Sequence, residues 1–126
     1  MLLGGDGGVY AGSVYFNDRS GGFRTTEHLL PIGLFGARNT ITVDILAYDI
    51  DGDGLVDLVL SQTAQSPVFY GGSKLQILLN KGNGLFVDET AIRLPNQSGV
   101  GRWAEFLKAV DLDGDGVRDI FLHMSY

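Results

Sequence analysis

The sequence predicts an all-β chain made of β-propeller blades, four-stranded antiparallel sheets at about two blades per chain. Three observations predict it. Nineteen glycines against three prolines in 126 residues imply many tight turns and short strands rather than long helices. The stretch "DIDGDGLVDLVL" (Asp49–Leu60) returns near the end of the chain as "DLDGDGVRDIFL" (Asp111–Leu122). A second pair of landmarks has nearly the same period: "SVYFNDRSGGF" (Ser13–Phe23) resembles "QILLNKGNGLF" (Gln76–Phe86), with Asn17 matched to Asn80 and Phe23 to Phe86 at one common offset. A period of about sixty residues is too long for a helical hairpin and points to stacked supersecondary units.

The elements follow in chain order. "LLGG" near the start reads as the remnant of a second strand, and the glycine-rich Gly4–Gly8 as a flexible loop. The Asn17 turn then joins a third strand to a fourth. Ile41 to Ala47 alternate, which places Ile41, Val43, Ile45 and Ala47 on one face of a first strand. "DLVLS" (Asp57–Ser61) is a second strand, and "KLQILLN" (Lys74–Asn80) a third, ended by the turn "KGNG". "LFVDE" (Leu85–Glu89) is a weaker fourth strand. The chain closes on another first and second strand at "DIFLHMSY". The expected division is a partial blade over residues 1–35, a full blade with the first Asp loop over 36–95, and a partial blade with the second over 96–126. Two blades cannot close a ring. Either the chain is a piece of a longer propeller, or copies of it complete one ring head-to-tail, a heterologous contact that would also hide exposed strand edges.

Both loops between first and second strands read D-x-D-x-D-G-x-x-D: Asp49, Asp51, Asp53, Gly54 and Asp57, then Asp111, Asp113, Asp115, Gly116 and Asp119. They hold eight of the fifteen acidic residues. Carboxylates at alternate positions converge when the chain curls tightly, and glycine at the sixth position permits that curl. The seventh residue, Leu55 or Val117, can offer its carbonyl, and the ninth closes the shell. Such an all-oxygen, flexible, anionic set favours Ca²⁺ over Mg²⁺ or Zn²⁺, at two ions per chain. The loops are not EF-hands, because the twelfth position is Leu60 or Leu122 where an EF-hand needs a bidentate Glu. The bland alternative is a pair of solvated acidic turns.

These motifs, with "LLNKGNGLF", resemble the FG-GAP/VCBS repeats of integrin α-subunit propellers and many bacterial surface proteins. The resemblance implies a β-propeller with Ca²⁺ in each Asp loop, held by the residues just named. It implies an extracellular, cell-surface or periplasmic setting, and a role in adhesion, lectin-like sugar binding, or as an accessory domain of a secreted enzyme. Two departures stand out: "QTAQSP" replaces the Gly-Ala-Pro element after "DLVLS", and the Phe35-Gly36 pair of "LFGARN" lies farther upstream than in the family.

A formal charge of −6 argues against nucleic-acid or anionic-membrane partners, and no apolar run is long enough to span a bilayer. The start shows no basic segment leading an apolar one, so no signal peptide is read in it. Absence of cysteine excludes disulfides, thiolate catalysis and Cys-ligated metals. His28 and His123 stand in no Ser/His/Asp pattern, and Ser61, Ser66 and Ser125 lack a nucleophile-elbow context, so a non-enzyme is expected. Trp103, beside Arg102, has two readings: a ring that stacks on a sugar, or a filler between blades at the place Ile41 takes in the previous repeat. The filler is favoured. The partner expected is a protein or glycan.

Overall fold

Glycine, Asn and Asp turns break the chain into short strands, and those strands pair with their neighbours in sequence. The computed structural model describes residues 11–124. "LLGG", the Gly4–Gly8 loop and Ser125 lie outside them. The regular structure is nearly all β, in three antiparallel sheets. β1 (Ser13–Val14) pairs with β2 (His28–Leu29). β3 (Thr40–Tyr48), β4 (Asp57–Ala64), β5 (Gly71–Asn80) and β6 (Phe86–Asp88) form a four-stranded meander. β7 (Ala104–Val110) pairs with β8 (Asp119–Met124).

One helical turn, α1 (Thr90–Arg93), was not expected from the pattern. It forms because Asp88 Oδ1 accepts the Thr90 N–H at 2.9 Å and its hydroxyl at 2.6 Å. A Glu89–Arg93 ion pair at 2.9 Å, one turn apart, adds to it.

The internal repeat extends to backbone detail. β3 bulges between Thr42 and Asp44, and β7 bulges at the matching place, between Ala104 and Phe106. Asn80 faces Phe86 across a turn, and Asn17 faces Phe23 in the same way. The bulge corrects the expected face of the first strand. Ile45 is 54% exposed, while Leu46 and Tyr48 pack on the core. An extra residue flips the alternation, so Ile41 and Ile45 fall out of phase.

β4 also runs three residues past the expected end. Gln62 and Thr63 are polar yet fully buried, because each has partners there. Thr63 donates to Gly72 O at 2.7 Å, and Gln62 Nε2 donates to Gln76 Oε1 at 2.7 Å. Gln76 donates in turn to Ile32 O and to Asp88.

The core lies on both faces of the central sheet. Leu60, Leu78 and Phe86 pack against Leu30, Val14 and Ala11 on the β1–β2 side. Val59, Ile77 and Leu79 pack against Leu107, Ile120 and Leu122 on the β7–β8 side. Each fully buried Leu or Ile contributes about 1.5–3 kcal/mol, so β4 and β5 anchor the molecule. Polar ties cross both interfaces: Ser61 Oγ to Ala104 O at 2.9 Å, the Leu107 N–H to Asp44 Oδ2 at 2.8 Å, and Thr42 Oγ1 to Ala11 O at 3.0 Å. This stacking brings the β3–β4 and β7–β8 loops to the same end of the molecule, where they flank one cleft.

Candidate metal centre

Each Asp loop begins where a first strand ends, and its own carboxylates wind it up. Asp49 Oδ1 accepts the Gly52 N–H at 2.9 Å and Oδ2 the Gly54 N–H at 2.8 Å. Asp51 accepts from Asp53 and Asp53 from Leu55, at 3.2 and 2.9 Å. Gly52 and Gly54 hold φ of 78° and 88°, left-handed values that cost a side-chain-bearing residue energy. The second loop repeats this. Asp111 accepts from Gly114 at 2.8 Å and from Gly116 at 2.9 Å, Asp113 accepts from Asp115, and Asp115 accepts from Val117. The Leu55 and Val117 N–H groups are thus fixed at the same point of each loop.

These bonds set the electrostatics. Asp49 is held below the ordinary carboxylate range, first by the Gly54 N–H, against a smaller opposing effect of burial, with Gly52 adding to the lowering. Asp111 is lowered first by the Gly116 N–H in the same way. At both first positions the anion is stabilised, which is the state a cation requires.

The ninth residue differs between the loops. Asp57 is fully buried and accepts two N–H groups, from Ile50 at 2.7 Å and from Asn80 at 2.8 Å. It joins its own loop to the end of β5. Asp119 accepts the Leu112 N–H at 2.8 Å, the counterpart of the Ile50 bond. In the first loop Asp49, Asp51, Asp53 and Asp57 each bring one oxygen within 4.8 Å of the others. In the second, Asp111, Asp113 and Asp115 do so, and Asp119 is not among them. Opposed ligands of a Ca²⁺ ion at 2.3–2.6 Å stand about 4.6–5.2 Å apart, so both clusters have the size and the all-oxygen chemistry to hold a metal ion.

A family model described as an FG-GAP-like repeat matches residues 49–122, more than half of the chain and a span that opens on the first Asp loop and includes the second. The chain belongs to the FG-GAP-like repeat family. Neither a search of curated proteins nor one of solved structures returns a match. Within this FG-GAP-like chain, sequence reasoning missed Asn80. Its N–H pins Asp57, its Nδ2 donates to Val56 O at 3.0 Å, and its Oδ1 accepts from Gly82. The match between Asn17 and Asn80 was the available signal.

Trp103 lies at the opposite end of β7 from Asp111. It is half-buried, with its ring 4.9 Å from Tyr70, which in turn stands 4.3 Å from Phe69. It therefore belongs to an aromatic run in which Phe69 is 63% exposed.

Proposed function

We propose that this FG-GAP-like chain is a Ca²⁺-binding β-propeller unit, with one ion in each Asp loop. In this reading it is a non-catalytic scaffold that presents a binding surface to a protein or glycan, as in adhesion. The observation that carries the reading is the bond-for-bond recurrence of one carboxylate-wound loop at both first-to-second strand connections. A single such turn is ordinary; the same acidic turn rebuilt one repeat later is a site built twice. The ion would offset the repulsion among each loop's carboxylates and pin two strands of a blade, so metal binding would be linked to folding. Saturation at about a hundredfold over Kd contributes about 2.7 kcal/mol per site, a shift of roughly 10 °C for each. A melt in Ca²⁺ should therefore lie well above one in chelator, and Mg²⁺ should raise it less. Coincident midpoints would sink the reading.

The aromatic run favours a second reading, a sugar-binding propeller. Phe69, Tyr70 and Trp103 gather where the β4–β5 connection meets the segment entering β7, and the Gly71–Arg102 bridge ties those two together. Aromatic faces of this kind stack on sugar rings. A glycan array with the wild type and Trp103→Ala decides it: a hit lost in the variant supports a lectin, and a blank array leaves protein ligands.

A further inference from the structure

We propose that the turn from Lys81 to Gly84, together with Arg24 and His28, forms a site for a carboxylate carried by an external ligand. The site stands apart from both Asp loops and from Trp103, so it rests on neither reading above.

One copy of this turn already holds a carboxylate. Asp18 Oδ1 accepts the Ser20 N–H at 2.8 Å, the Ser20 hydroxyl at 3.0 Å and the Gly22 N–H at 3.0 Å. These bonds, the Ser20 N–H first, hold the Asp18 carboxyl below the ordinary carboxylate range. The second copy has the same frame. Asn17 Oδ1 accepts the Arg19 N–H at 2.6 Å, as Asn80 Oδ1 accepts the Gly82 N–H at 2.9 Å. Asn17 faces Phe23 as Asn80 faces Phe86. Arg19 and Gly82 both turn left-handed, at φ of 69° and 86°, and so do Gly21 and Gly84, at 94° and 80°.

The second copy lacks the carboxylate. By the same offset Lys81 stands where Asp18 stands, and its ammonium is drawn off to Glu89 at 3.2 Å. The Leu85 N–H, at the place of Gly22, is taken by Gly82 O at 3.0 Å. Asn83, at the place of Ser20, turns left-handed as well, at 55°. Gly82, Asn83 and Gly84 are thus three successive left-handed residues, a backbone concavity of the kind that binds anions through its N–H groups. Among the described residues nothing accepts the N–H of Asn83 or of Gly84.

The side chains beside that turn are donors. Asn83 and Gly84 line a cavity of about 310 Å³ with Phe16, Arg24 and His28, and no carboxylate lines it. Phe16 meets the His28 ring edge-on, with centroids 5.2 Å apart. Gly84 lies so close to the same ring that a Cβ there would overlap it. The imidazole is therefore fixed at the turn. Arg24 is exposed, and its guanidinium has no carboxylate partner among the described residues. A guanidinium fork and an imidazole beside unclaimed backbone N–H groups are the donors a carboxylate takes.

The test titrates the 126-residue chain and follows the backbone amide NMR shifts of Asn83 and Gly84. The probes are N-acetyl-aspartate amide, which stands for an acidic protein side chain, and glucuronate, which stands for an acidic glycan. Saturable shifts of these two amides with either probe support the site, and the tighter probe names the source. Saturation with neither, or equal shifts from sodium chloride at matched ionic strength, overturns the proposal. Arg24→Gln removes no bond of the fold, so it should leave the melting point unchanged and weaken binding about tenfold or more. Undiminished binding in that variant also overturns the proposal. Lys81→Asp rebuilds the carboxylate of the first copy inside the second and should abolish binding while the chain stays folded. Lys81→Gln, which removes the ammonium without supplying a carboxylate, should keep it. Equal loss in both would mean that the lysine and not the turn holds the ligand, and the proposal would fall.

Discussion

Asp57 and Asp119 stand at the same place in nearly identical loops, yet one is sealed under β5 and the other is bound at a single point. Removing each should therefore cost different amounts. Asp57→Ala strands the Ile50 and Asn80 N–H groups and should destabilise by about 2–4 kcal/mol, because each unpaired buried donor costs about 1–3. Asp119→Ala strands one more exposed donor and should cost about 1 kcal/mol. Urea denaturation in chelator measures both, and equal losses would contradict the asymmetry. The lowered carboxyls of Asp49 and Asp111 set the acid behaviour. A carboxyl whose folded pKa is depressed stabilises above its unfolded value, near 3.9, and that contribution goes as pH falls through the folded value. Metal-free melting points should hold near neutrality and fall below about pH 4. Asp49→Asn together with Asp111→Asn should flatten that fall. The spacing of the loop carboxylates was legible in the sequence; the inequality of the ninth residues was not, because it comes from a neighbouring strand and not from the loop.

The strands were legible where turn residues bound them, and poorly legible where a tertiary partner changed the rule. Val43 and Glu105 occupy the two bulges, one apolar and one charged, so no shared residue type announces them. The alternation over Ile41 to Ala47 then pointed to the wrong face. β4 continues through Gln62 and Thr63 although polar residues ordinarily end a buried run, because Gln76 and the Gly71 and Gly72 carbonyls receive their donors. The Gln62–Gln76 pair is itself testable. Gln76→Leu leaves Gln62 Nε2, Ile32 O and Asp88 without a partner they now have and should cost about 2–4 kcal/mol. Gln62→Leu should cost a similar amount. The double variant, which removes both members of the bond, should cost about 1–2 kcal/mol less than the sum of the singles. Strict additivity in a double-mutant cycle would show that the buried bond carries no coupling.

At the scale of the molecule, three stacked sheets enclose two core clusters, one on each face of the middle sheet, so that sheet is covered on both sides while each outer pair is covered on one. Local opening follows buried contact, so stability should be graded along the chain. β4 is buried at seven of its eight positions and β5 at five of its ten, and both are hydrogen-bonded on both edges. β7 and β8 share six paired positions and a single packed face, while β1 and β2 share two. Native-state hydrogen exchange should therefore be slowest in β4 and β5, intermediate in β7 and β8, and fastest in β1 and β2. The order tests the stacking, because an isolated central sheet would exchange no more slowly than its neighbours.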